Sequence, residues 1–150
     1  MTSIETRLLA ESDWQQWKTL RLESLQDSPE AFGGAFSEES LKDDSFFMGN
    51  ITNNKIFGAF DGTRLVGSVG FSMQKMERLK HRGKIFGVFI TPSARGQGIS
   101  RTLMQLAIDF AKDKVVWLEI HVWTKNPVAF KLYSSLGFVT YATRTAVVMD

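Results

Sequence analysis

One stretch limits the possible folds more than any other. An apolar run, "KIFGVFI", is followed by "TPSARGQGISR" and then by an amphipathic pattern. Val88, Phe89 and Ile90 close the run, and Ile99, Leu103, Leu106 and Phe110 recur at helical spacing. The chain therefore passes from a strand to a helix through a turn almost bare of side chains. Arg95, Gly96, Gln97 and Gly98 occupy that turn. A glycine between strand and helix supplies a backbone angle that other residues resist. A plain turn explains one glycine and leaves the second glycine and the arginine without a purpose.

Two ligand-binding readings compete with the plain turn. Known nucleotide loops fit poorly. The sequence contains no GxxxxGK[ST] phosphate loop, and residues 96–101 replace the third glycine of GxGxxG with Arg101. Glu119 does lie where a ribose-binding acid would be expected, but the strand before the turn follows a β-meander. The other reading is a diphosphate cradle at a helix N-terminus. The first N–H groups of a helix lack internal partners and sit at its positive end. Amides of Gln97, Gly98, Ile99 and Ser100 could face an anion, with Gly96 and Gly98 allowing close approach. Arg95 could add charge-assisted hydrogen bonds.

The rest of the chain supplies the elements around this unit. Ile4 to Leu9 reads as a first strand. Ser12 and Gln15 have capping-box spacing and open a helix through Leu25. A second helix is expected from Glu38 to about Ile51. "KIFGAF" and "TRLVGSVGFSM" read as strands joined by a tight Asp61-Gly62 turn. "VVWLEIHVW" reads as a strand. Asn126 and Pro127 look like the N-cap and first position of a helix that Gly137 ends. "FVTYATRTAVVMD" is expected to close the chain as one bent strand or two short ones. The order is β-α-α-β-β-β-α-β-α-β. It predicts an α/β (α+β) fold in which a mixed, mostly antiparallel sheet is flanked by helices. At 150 residues, a single domain over 1–150 is the expectation.

Composition removes several chemistries. With no cysteine, there is neither a thiol nucleophile nor a thiolate metal site. Two histidines, His81 and His121, stand far apart, so no metal site is expected. A net charge of +2 does not by itself point to nucleic acid. Residues 75–84 are locally basic, which suits a solvated hairpin tip or a rim for an anionic ligand. No apolar run is long enough to span a bilayer, and the N-terminus has no secretory pattern. A cytoplasmic protein that binds neither nucleic acid nor membrane is the expectation.

Two separate motifs resemble those of one family. Arg95-Gly96-Gln97-Gly98-Ile99-Ser100 is similar to the R/Q-x-x-G-x-G/A motif of the GNAT N-acetyltransferases. Asn126 to Ala129, Leu132-Tyr133 and Leu136 to Phe138 resemble the family's N-x-x-A…LY…LGF signature. The element order agrees as well. Ser100 departs from the family's usual Gly or Ala, but it is small and suits a helix start. The resemblance implies acetyl-CoA as donor, with its pyrophosphate on the glycine turn. It implies that the pantetheine arm lies along Val88, Phe89 and Ile90. Asn126 would contact that arm, and Tyr133 would sit near its sulfur. Dimers are frequent in the family, so a homodimer is possible.

Acetyl transfer to a primary amine then needs a base, an oxyanion donor and a group to meet the leaving thiolate. Tyr133 is the candidate for the thiolate, its place in the motif outweighing the plain reading of a core tyrosine on an apolar helix face. Some family members carry a glutamate five residues before the motif asparagine. His121 stands there in this chain, and imidazole titrates near neutral pH. Glu119 is the fallback base. A backbone N–H near Ile90 would meet the oxyanion. Trp123, Phe32, Phe36 and Phe71 could line the acceptor pocket or simply pack the core. A coenzyme A-binding module without catalysis is the competing reading.

Overall fold

The computed structural model describes residues 3–28, 35–73, 82–122 and 125–142. Apolar residues dominate the two hairpin strands because of where those strands lie. Strands β2 (Lys55–Asp61) and β3 (Arg64–Met73) are buried over most of their length because helices cover both faces of the sheet. Among the described residues the sheet has five strands in sequence order. β1 (Ile4–Leu8) pairs with β2, and β3 pairs with β4 (Arg82–Ile90), all antiparallel. Only β5 (Trp117–Ile120) runs parallel to its neighbour β4.

Two cores result, one on each face. Helix α4 (Ile99–Ala111) and helix α5 (Pro127–Ser135) cover one face, with Phe57, Val69, Ile85, Leu103 and Met104 between them and the sheet. Helix α1 (Trp14–Asp27) and helix α3 (Asp44–Asn53) cover the other. Trp17, Leu20, Phe47, Ile56 and Phe89 are buried there.

Several boundaries differ from the sequence expectation. Ser12 and Gln15 do not form the predicted box. Asp13 accepts instead from the amide of Ala10 at 2.7 Å and binds Arg7, which fixes the entry to α1. The helix expected over 38–51 is split into α2 (Phe36–Glu39) and α3. Asp43 has extended backbone and serves as the N-cap of α3, so the chain restarts there. The hairpin turn is Gly62-Thr63, one residue later than expected, because Asp61 still pairs with Arg64. β5 ends at Ile120, leaving His121 just beyond it. No strand forms over 138–142, and the rest of the expected terminal strand lies outside the described residues.

The far half of β4 is set by a bulge. Gly70 of β3 pairs with Phe86, but Ser68 pairs with Phe89, so an extra residue bulges from β4. Gly87 sits there with φ of +61°. Before the bulge Ile85 faces the α4 core and Phe86 the α1 core. After it Val88 and Ile90 face α4, and Phe89 faces α1. The bulge thus shifts the alternation by one residue.

Candidate active site

The turn ahead of α4 is built from local backbone angles. Gly96 and Gly98 have φ of +83° and +75°, and nothing lies within 4 Å of where either Cβ would sit. Gly98 is the N-cap of α4. The first backbone bond of the helix runs from the Thr102 amide to the Gly98 carbonyl, at 3.1 Å. Among the described residues, no acceptor meets the amides of Gly96, Gln97, Gly98, Ile99, Ser100 or Arg101. A run of N–H donors therefore stands at the positive end of a 13-residue helix. Ile99 is buried and anchors this end to the core, whereas Gly96, Gln97 and Gly98 are exposed.

Arg95 takes another course. Its Nε donates to the Ile90 carbonyl at 2.9 Å, and its Nη2 donates to Asp27 at 2.9 Å. Its guanidinium also lies over the Phe89 ring. The carboxylate at the end of α1 thus orients the Arg95 guanidinium beside the run of backbone amides. Arg95 foremost, and the Ser28 hydroxyl next, hold the Asp27 carboxyl below the usual carboxylate range.

β4 is open along one flank among the described residues. Its pairing with β5 stops at Ile85↔Ile120, so no described strand lies beside Phe86 to Ile90 there. Val88 is half-buried, while Phe89 and Ile90 are buried. This open flank leads directly through Thr91 to the amide run. The arrangement can take an extended polar arm along β4 and an anionic group on the turn. An acetyl-CoA molecule has both parts, and the residues present fit it.

Tyr133 lies in the α4–α5 core, 8% exposed, with its ring against Phe138. Burial pushes its phenol up to about 12. Its hydroxyl makes no hydrogen bond among the described residues. Asn126 is half-buried and caps α5, its Oδ1 accepting from the Ala129 amide at 3.2 Å. The expected capping role of this residue is present, and its Nδ2 remains to donate. Leu118, Ile120 and Val122 pack toward the same core as Tyr133. Glu119 and His121 alternate with them and face the other side. His121 is exposed. Glu119 accepts from the Tyr141 hydroxyl at 2.8 Å, which is the main reason its carboxyl sits below the ordinary range. The Trp117 indole and the nearby His121 and Arg82 add to that effect.

Tyr133 is thus buried in the α4–α5 core, while His121 is exposed just past the end of β5, where β4 and β5 part. Near the bulge, on the α1 face, is a cavity of about 10 Å³ lined by Arg21, Ser24, Phe86 and Gly87, among others. That is room for one water. Arg21 also forms a two-bond pair with Glu39, at 2.9 and 3.0 Å, which the sequence did not reveal. Phe71 is core, stacked edge-on against Phe110. Phe36 is half-buried at the start of α2. Phe32, Trp123, His81 and most of the basic stretch lie outside the described residues.

The profile of the acetyltransferase (GNAT) family matches residues 14–138. The chain belongs to the GNAT acetyltransferase family. Acetyl-CoA is the donor this family uses. The N-alpha-acetyltransferase RimI of Mycobacterium tuberculosis is 37% identical over 87 residues, covering 57% of this chain and 52% of that protein. Mycothiol acetyltransferase of Streptomyces scabiei is 32% identical over 88 residues, covering 58% of this chain and 28% of its own length. The chain thus aligns with about half or less of each of these relatives. A GNAT acetyltransferase from Streptococcus pneumoniae has the same fold, with a TM-score of 0.80 at 21% identity, covering 91% of this chain and 84% of that one. Salmonella typhimurium yncA, solved with its cofactor acetyl-CoA, has a TM-score of 0.81 at 15% identity, covering 94% and 82%. Among the described residues, no helix is long and apolar enough to cross a membrane.

Proposed function

We propose that this GNAT domain transfers an acetyl group from acetyl-CoA to a primary amine, by direct attack in a ternary complex. One observation carries the reading. A run of unpartnered amides at the head of α4 adjoins the open flank of β4. A diphosphate rests on Gly96 to Arg101 and an amide-bearing arm extends along Val88, Phe89 and Ile90. Asn126 Nδ2 offers the arm a further donor.

This chain has no cysteine to carry an acetyl group, which favours one step over two. An alkyl ammonium has a pKa near 10, so about 4 kcal/mol is needed to supply free amine at pH 7. His121 takes that proton. Glu119 is less suited, because the Tyr141 bond holds it as a stable carboxylate. A backbone N–H near Ile90 meets the oxyanion. The amide of Thr91 is already bonded to the Val66 carbonyl at 2.8 Å.

Tyr133 meets the departing sulfur. A phenol held at about 12 keeps its proton at neutral pH. Full transfer to a thiolate with a pKa near 8.5 would be uphill by about 5 kcal/mol. Tyr133 therefore acts first as a hydrogen-bond donor to the sulfur, in a site that excludes water. The amine nitrogen adds to the thioester carbon as His121 takes its proton, the C–S bond breaks as the amide forms, and the CoA thiolate leaves toward Tyr133.

The test is thiol release with an amine panel across pH. Tyr133→Phe should lower kcat about a hundredfold. His121→Ala should flatten the acidic limb of the rate profile. Both should bind coenzyme A within about twofold of wild type, since neither touches the amide run. An unchanged profile for His121→Ala would remove the base assignment. Tight coenzyme A binding without turnover on any amine would favour the non-catalytic module instead.

A further inference from the structure

Two carboxylates on α1 reach the far end of β4. Glu23 accepts from the Thr91 hydroxyl at 3.1 Å, and Asp27 accepts from Arg95 Nη2 at 2.9 Å. They stand four residues apart on one helix and so share a face. Thr91 and Arg95 are also four apart, flanking the short 3-10 turn Pro92–Ala94. Each rung joins residues 68 apart in sequence. Neither carboxylate belongs to the glycine-turn motif.

We propose that Asp27 is a positioning residue for the acetyl donor: it fixes Arg95, and through Arg95 the angle at which the amide run leaves β4. The inference rests on the reading of the amide run as the donor site. Arg95 is held at three points, by the Ile90 carbonyl, by Asp27 and by the face of Phe89. Asp27 is itself oriented, since the Ser28 hydroxyl donates to the same oxygen at 2.8 Å. Thr91 is buried, and its hydroxyl is met by Glu23 as the second rung. Without Asp27, the side chain beside Gly96 keeps the Ile90 bond and the Phe89 face but loses the anchor at the outer end of its guanidinium. The turn then no longer presents its amides in one direction.

A half-exposed ion pair is a weak stabiliser of a fold. The Arg95 and Asp27 side chains are 49% and 30% exposed. The effect should therefore appear in ligand affinity and not in melting temperature. Calorimetry with coenzyme A on the full chain makes the distinction, using wild type, Asp27→Asn, Asp27→Ala, Arg95→Ala and the Asp27→Ala/Arg95→Ala double variant. Asp27→Ala should weaken binding about three- to fivefold, and Arg95→Ala about tenfold. Asp27→Asn should fall between wild type and Asp27→Ala, because an amide oxygen can still accept from Arg95. The double variant should be no weaker than Arg95→Ala alone, because both changes break one contact. With acetyl-CoA as substrate, Asp27→Ala should raise the donor KM by the same factor and leave kcat and the amine KM in place. Wild-type affinity in Asp27→Ala, or losses that multiply in the double variant, would overturn the proposal alone. Failure of wild type to bind coenzyme A would overturn the donor-site reading and the proposal with it.

Discussion

Tyr133 owes its high pKa to burial, and that makes it visible in stability as well as in catalysis. Its phenol is raised from 10.0 to about 12. Between those values the folded chain keeps a proton that the unfolded chain releases. The associated stability is complete below about pH 10 and is lost as the pH rises through about 12. It amounts to about 2–3 kcal/mol at most. Urea unfolding at pH 9 and pH 11.5 should show a larger loss for wild type than for Tyr133→Phe. The chain has two tyrosines, so the variant also reduces the ultraviolet titration to a single phenol. Equal alkaline losses in the two proteins would mean that the Tyr133 ring is wet. His121, in contrast to the buried Tyr133, is exposed. Its contribution should therefore appear in the pH dependence of rate and not in folding.

At the scale of elements, the glycine turn and its helix form the most local part of the site. Gly98→Ala forces a methyl-bearing residue to φ of +75°. That costs about 1–2 kcal/mol, or about 2–8 °C in Tm for a chain of this size. Its methyl would also stand over the amide run and should weaken coenzyme A more than about tenfold. Gly62→Ala is the control. Gly62 has a similar φ of +62° and an equally open Cβ position, but it sits in the β2–β3 turn. It should lose comparable stability and keep full affinity, and the opposite result would make the affinity loss a matter of strain alone. The same locality explains what can be read from sequence. Two glycines, a strand before them and a helical pattern after them are a short-range signal, so the donor turn is legible. So is the Asn126 cap with Pro127. Gly87 is visible as a lone glycine in an apolar strand, but its consequence is not. Only the register against β3 shows the shift of facing residues. The course of Arg95 escapes a sequence reading because its partner, Asp27, is 68 residues away. The Arg21–Glu39 pair escapes it likewise, because its partners are 18 residues apart, whereas the break at Asp43 is a local N-cap that the helical pattern across it masks.

At the scale of the whole molecule, donor binding and folding are linked, because an intact α4 terminus beside an open β4 exists only in the folded chain. Coenzyme A at a hundred times its Kd should add about 2.7 kcal/mol of stability. For a domain of this size that corresponds to about 5–11 °C in Tm. A shift of that size alone would not say where the ligand sits. A second concavity, of about 270 Å³, lies on the outer strand β1, lined by Glu5, Arg7, Asp13 and Thr63 among others. It is separated from β4 by two strands of the sheet. Amide hydrogen exchange separates the two. Ligand on the α4 terminus should slow exchange at Gly96 to Arg101 and along Val88 to Ile90, and leave Ile4 to Leu8 unchanged. Because the Gly96–Arg101 amides have no acceptor among the described residues, their protection must come from the ligand itself and not from tightening of an existing bond. A Tm rise with protection confined to β1 would move the ligand to the outer strand and leave the amide run without a function.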